Sequence, residues 1–219
     1  VLKPTALSTV TCIAMLAACS SGESTEPMAN IAKVADVKSS FGPEFNVTEV
    51  PMTGIDPKLL AGQRLSEGLK FDPADCANVA AGPQLPAGIK GNMAAVSAEG
   101  AGNRFITIAL ETSEPIPITE PPANCKRIAF SGGALSGAVE GVPAPQIDGV
   151  GTQAVHRILH ATINGTPQTG EIYSYRATFG NYQVIVTADP LVVADQPVVP
   201  VDTKRAEDLL TAAVAAIKS

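Results

Sequence analysis

The sequence predicts an α+β domain: an antiparallel sheet of about six strands with N- and C-terminal helices packed on it and one disulfide. Three observations predict it. β-rich runs follow one another in hairpin series, separated by short Gly- and Asn-bearing connections. Amphipathic helical periodicity is confined largely to the two ends of the domain. Cys76 and Cys125 are the two cysteines outside the N-terminal segment, and two cysteines allow one pairing.

The chain opens with a single cation, Lys3, then an uncharged, mostly apolar run over residues 5–18 that ends in Ala17-Ala18. This is the pattern of a secretory signal. The run is too short to cross a bilayer, which takes about 20 apolar residues. Leu16-Ala17-Ala18-Cys19 resembles the lipobox of bacterial lipoproteins, in which the cysteine thiol receives a diacylglycerol and becomes the new N-terminus. The alternative is an ordinary signal peptide that ends in a chance cysteine. Cys12 lies within the apolar run and leaves with the signal. Residues 20–29 lack the apolar side chains to build a core and read as a flexible tether. The expected organisation is a signal peptide over 1–18, a lipidated Cys19 with its tether over 19–29, and one domain over 30–219. The protein is then expected on the extracytoplasmic face of the cell membrane, held by lipid. Two acyl chains anchor stably, so the domain itself needs no membrane-binding face.

Residues 30–41 are expected to be helical, capped by Asn30, with Ile31, Val34, Val37 and Phe41 near one face. Gly42-Pro43 stops that helix, and residues 45–50 alternate as a half-buried strand. Asp56-Pro57 and Asp72-Pro73 each suggest a short helix with an Asp cap, the second carrying Cys76. Residues 91–98 and 104–111 read as strands joined by a hairpin loop over 99–103. The Pro-rich stretch 112–124 crosses the surface, and one helical turn within 122–128 holds Cys125. Residues 130–142 are Gly-rich and read as one irregular strand. Residues 154–163, 171–179 and 182–188 are further strands, the last two joined by Gly180-Asn181. Residues 190–200 are extended loop, and Asp202 caps a closing helix whose apolar stripe is Ala206, Leu209, Leu210, Ala213 and Ile217.

Composition narrows the function. Lys and Arg number 15 against 21 Asp and Glu, a net charge of -6, which argues against nucleic acid. In an oxidising compartment Cys76 and Cys125 are expected to pair. A closed loop of about 50 residues contributes roughly 4 kcal/mol by chain entropy. Free or metal-binding thiols are the rival reading, with no His near either cysteine to support a zinc site. No His-Glu-x-x-His, Cys-x-x-Cys, P-loop, Ser-x-x-Lys or Gly-x-Ser-x-Gly occurs, and no catalytic residue, cofactor or metal is expected. Gly149-Val150-Gly151-Thr152-Gln153-Ala154 matches a loose dinucleotide-binding pattern, but β-like sequence follows where a helix is required, so it reads as a turn. His156 and His160 share a strand face about 13 Å apart, too far for one metal ion. They read as a structural pair, with a catalytic base as the alternative. Tyr173, Tyr175 and Phe179 also share a face, with Arg176 on the other. That stripe is core or the lining of a ligand pocket, and with His156 and His160 it makes up the candidate ligand-lining set.

The lipobox and tether are followed by Ile31, Val34, Val37-Lys38 and Phe41-Gly42-Pro43-Glu44-Phe45-Asn46-Val47. Together they resemble mycobacterial cell-envelope lipoproteins that carry a domain of unknown function. In that group a Lys-x-x-Phe-Pro-x-x-Phe/Tyr-x-Val opening precedes a Pro-rich cysteine segment, to which Asp72-Pro73-Ala74-Asp75-Cys76 is similar. Gly42 before Pro43 is a departure. The resemblance implies an envelope-facing, disulfide-bonded α+β domain and carries no catalytic residues. More distantly, the layout resembles the extracellular sensor domains of mycobacterial receptor kinases, thought to bind ligands in a cleft. The expected function is a non-catalytic ligand-binding or accessory module with a small apolar ligand. A scaffold that docks an envelope protein or cell-wall partner is the alternative, and a hydrolase using His156 or His160 is a third.

Overall fold

The strands are β1 (Asn46–Gly54), β2 (Lys70–Asp72), β3 (Gly91–Gly100), β4 (Asn103–Thr112), β5 (Arg127–Gly132), β6 (Leu135–Val142), β7 (Gly151–Ile163), β8 (Thr166–Phe179) and β9 (Tyr182–Pro190). They come from a computed structural model that describes residues 29–219 apart from 57–59, 61–63, 83–84, 86–87, 117, 164 and 194–195. The signal, Cys19 and the tether up to residue 28 lie outside the described residues, as does most of the stretch after Asp56 where a short helix is expected. Within them the nine strands form one antiparallel sheet in the order β1-β3-β4-β9-β8-β7-β6-β5-β2. The α+β class holds, but the sheet has nine strands rather than about six.

The two terminal helices cover one face of the sheet. The first, Ile31–Ser40, is 3₁₀ rather than α. Its buried residues Ile31, Val34 and Val37 recur every third position, the period at which 3₁₀ side chains stack on one face. Asn30 caps it, its side chain accepting from the Ala32 amide at 3.0 Å. The closing α-helix, Thr203–Lys218, starts at Asp202, whose carboxylate accepts from the Arg205 amide at 3.0 Å. Its stripe Ala206, Leu209, Leu210, Ala213 and Ile217 is buried, with Val214 added. These helices meet Val96, Phe105, Tyr175, Val184 and Val186 in the main core. Full burial of each such Leu, Ile or Phe contributes about 1.5–3 kcal/mol.

The opposite face carries a second layer. Cys76 ends a 3₁₀ turn, Ala74–Cys76, that runs into helix α1 (Ala77–Ala81), and Cys125 ends the turn Ala123–Cys125. A disulfide joins them with their Cα atoms 5.5 Å apart, so free or metal-binding thiols are ruled out. Ile128, Phe130, Val139, Leu65 and Phe71 pack around it. Asp72 does not cap α1. It ends strand β2, and Pro73 precedes the turn without a side-chain cap.

Two connections and one strand depart from expectation. Residues 130–142 form two strands, because Gly133 takes φ +57° and reverses the chain between β5 and β6. The loop expected over 99–103 is a two-residue turn, Ala101-Gly102, with φ +47° and +76°, and Gly100 pairs with Asn103. Both central residues of such a turn need positive φ, which twists it to match the strands. Strand β1 runs through Pro51, which its edge position tolerates.

Gly137 on β6 is fixed by close approach. A Cβ there would lie 2.0 Å from the Ile158 carbonyl oxygen and 2.6 Å from Phe130 Cζ. Gly137→Ala is expected to destabilise the domain by about 2–3 kcal/mol, read as a lower urea midpoint at unchanged slope.

Candidate functional site

Strand alternation divides β7 and β8 between two environments. Ala154 and His156 on β7 pair with Tyr175 and Tyr173 on β8 and point with the helices. Val155 and Arg157 therefore point the other way, as do Ile172, Ser174 and Arg176. The same face continues through Val139 on β6, opposite Arg157, and Ile185 on β9, opposite Arg176.

A cavity of about 740 Å³ lies between this face and the disulfide layer. Its floor is Val139, Val155, Arg157, Ser174, Arg176 and Ile185. One wall is α1, through Asn78, Val79 and nearby Gly82. The other is the Pro-rich segment, through Ile116, Thr119, Pro121 and Pro122. Cys125 borders the cavity itself, so the disulfide ties one wall to the other.

Three of the four charged residues that line the cavity are cationic. Arg157 is 3% exposed, and its Nε has no hydrogen-bond partner. Burial pushes its guanidinium down to about 10, so it stays charged at neutral pH. Ser174 Oγ is likewise buried without a partner. Burial also lowers Arg176, which donates to Gln153 Oε1, while Gln153 Nε2 donates to the Thr119 carbonyl at 2.8 Å. Lys126 and Glu120 complete the charged lining, both exposed.

Of the candidate ligand-lining residues, Tyr175 borders the cavity, although its ring belongs to the helix-side core. Burial pushes its phenol up to about 12. Tyr173 and Phe179 lie on the helix side, where Phe179 stacks on Tyr182. His156 stacks on Tyr173 with centroids 4.1 Å apart, and its Nε2 lies 3.0 Å from Glu171 Oε2. His160 Nδ1 lies 3.1 Å from Thr169 Oγ1, beside a smaller depression at the far end of β6, β7 and β8. The two histidines share a strand face, and neither lines the large cavity. Among the described residues no group of three or more His, Cys, Asp or Glu is placed to hold a metal ion. No described helix is long and apolar enough to cross a membrane.

Sequence reading singled out the aromatic stripe, placed Arg176 on the opposite face without a role, and missed Arg157. The signal was present, since alternation puts Arg157 between Val155 and Leu159 on one face, a cation in an apolar row.

Comparison with known proteins agrees with the fold. The structure is similar to the crystal structure of an uncharacterized protein from Mycobacterium smegmatis, an Rv0999 ortholog, at 57% identity and a TM-score of 0.82. That match covers 89% of this chain and all of the other. The extracellular domain of PknH from Mycobacterium tuberculosis also matches, over 86% of this chain and 93% of that one. At 11% identity and a TM-score of 0.35 that likeness carries no weight. No curated protein matches the chain. The family model described as a domain of unknown function (DUF5642) matches residues 30–218, the whole domain from its first capped helix to its last, and the chain belongs to that family.

Proposed function

We propose that this protein is a non-catalytic ligand-binding lipoprotein of the cell envelope, anchored through Cys19 and holding its ligand between the sheet and the disulfide layer. The observation that carries this reading is the cavity. Its volume of about 740 Å³ falls in the range of small-molecule sites, about 300–1,000 Å³. Apolar walls with a few convergent polar groups are the make-up of such sites. The anchor is supported by Leu16-Ala17-Ala18-Cys19. The domain begins on the helix side, where the Asn30 amide donates to the Ile217 carbonyl, and the cavity opens on the other face of the sheet. The first described residues thus lie on the face of the sheet away from the cavity.

Native mass spectrometry of the protein purified from mycobacterial membranes is expected to show a retained small molecule at one per chain. Repeated spectra of bare protein would overturn the binding reading. Labelling cells with an alkynyl fatty acid is expected to mark the wild-type protein and not Cys19→Ala. Equal labelling of both would overturn the anchor.

A further inference from the structure

We infer that the cavity takes an amphiphile with an anionic headgroup, the anion held by Arg157 and Ser174 and the apolar portion by the walls. The inference rests on the ligand-binding reading and names the chemical class of ligand.

Among the described residues two buried side-chain polar atoms lack a hydrogen-bond partner, Arg157 Nε and Ser174 Oγ, and both residues line this one cavity. They are diagonal neighbours on paired strands, with Arg157 opposite Ile172 and Ser174 two positions on. Buried polar groups in native proteins are almost always paired, and an unpaired buried charge costs several kcal/mol. Two such groups converging on one space are accounted for if a bound molecule completes them.

The chemistry of the missing partner follows from what surrounds it. Val139 and Ile172 flank Arg157 across the strands and offer no carboxylate. Asp189, two strands away on β9, is held by Arg104, whose Nε and Nη2 donate to it at 3.2 and 2.9 Å. The lining holds Lys126, Arg157 and Arg176 against Glu120 alone, in a chain whose net charge is -6. An arginine fork has only donors and matches a planar carboxylate or a phosphate through two parallel bonds. Ser174 adds a hydroxyl donor beside it. Water could meet the hydrogen bonds but not the charge. Inorganic phosphate would leave unfilled the space along Val79 and Ile116 on the walls and Val139 and Ile185 on the floor.

Calorimetric titration of the purified protein with decanoate, decyl phosphate, 1-decanol and inorganic phosphate tests this. One of the decyl anions is expected to bind one per chain, at least about tenfold tighter than 1-decanol. The tighter of the two identifies a carboxylate or a phosphate-monoester headgroup. Inorganic phosphate is expected to bind more weakly than either. Arg157→Met is expected to remove the preference for the anion and to leave 1-decanol binding within about threefold. Ser174→Ala, a smaller change, is expected to cut anion affinity about fivefold, and it keeps the test sound should Arg157→Met fail to fold. Equal binding of all three decyl compounds by the wild type would overturn the anionic class and leave the cavity reading standing. Failure of all three to bind would overturn both.

Discussion

Arg157→Met is expected to raise the melting temperature of the ligand-free protein. The guanidinium is 3% exposed, its Nε is unpaired and burial alone shifts it. Its removal breaks no hydrogen bond or ion pair among the described residues, and Met fills much of the vacated space with a flexible apolar chain. Replacing buried charge by well-packed apolar residues stabilises proteins by about 1–4 kcal/mol. A gain of about 2 kcal/mol in a domain of this size is a rise of roughly 4–8 °C. The sign with pH follows from linkage. The folded guanidinium is pushed down to about 10, below its ordinary value in the unfolded chain, so the folded state binds fewer protons between the two. The penalty is thus fully present through neutral pH and lifts only above about 10. Excess decanoate is expected to narrow the gap between the two proteins, since a tenfold loss of affinity takes about 1.4 kcal/mol from the variant's advantage. At 100 times its dissociation constant a ligand adds about 2.7 kcal/mol to the protein that binds it, and the variant gains less. Scanning calorimetry with and without decanoate reads both effects. A variant that melts below wild type without ligand would show that the guanidinium has structural partners and is not held in reserve.

The disulfide is expected to matter for stability and binding together. The cysteines stand 49 residues apart, and closing a loop of that length contributes about 4 kcal/mol through the unfolded chain. Cys76→Ala with Cys125→Ala is therefore expected to cost roughly that much in urea denaturation. Cys76 leads directly into α1, and Cys125 follows Pro121 and Pro122, so the bond fixes one cavity wall against the other. Without it the walls must be ordered by the ligand itself, and decanoate affinity is expected to fall at least about tenfold. The loss should appear at temperatures where circular dichroism shows the double variant still folded. Unchanged affinity in a folded double variant would separate the cavity from the disulfide.

Much of the fold was legible because its signals are local. Asn30 and Asp202 cap the helices they were expected to cap, and the stripe of the last helix is buried residue for residue. Gly180-Asn181 turns β8 into β9 as its sequence implies. The N-terminal helix was legible in extent but not in type, because a short apolar stripe fits either period. Strand β2 has three residues with Phe71 alone half-buried, too few to show alternation. In β5 and β6 the glycines that permit the reversal also thin out the apolar markers of two strands. The candidate site was hidden by a tie. On β7 both faces are mixed, with Ala154, His156 and Ile158 on one and Val155, Arg157 and Leu159 on the other. The aromatic pair on β8 suggested a binding face, but the closing helix covers Tyr175, and the cavity formed on the side of Ser174 and Arg176. Only the placement of that helix and of the disulfide layer decides between the faces, and both depend on contacts distant in sequence.

A crystal structure of the protein grown with decanoate tests the central claim most directly. The account predicts the carboxylate within about 3 Å of Arg157 Nε and Ser174 Oγ, with the alkyl chain along Val139 and Ile185. A decanoate seated beside His156 on the other face, or held only at the rim by Lys126 with Arg157 still unpaired, would contradict it.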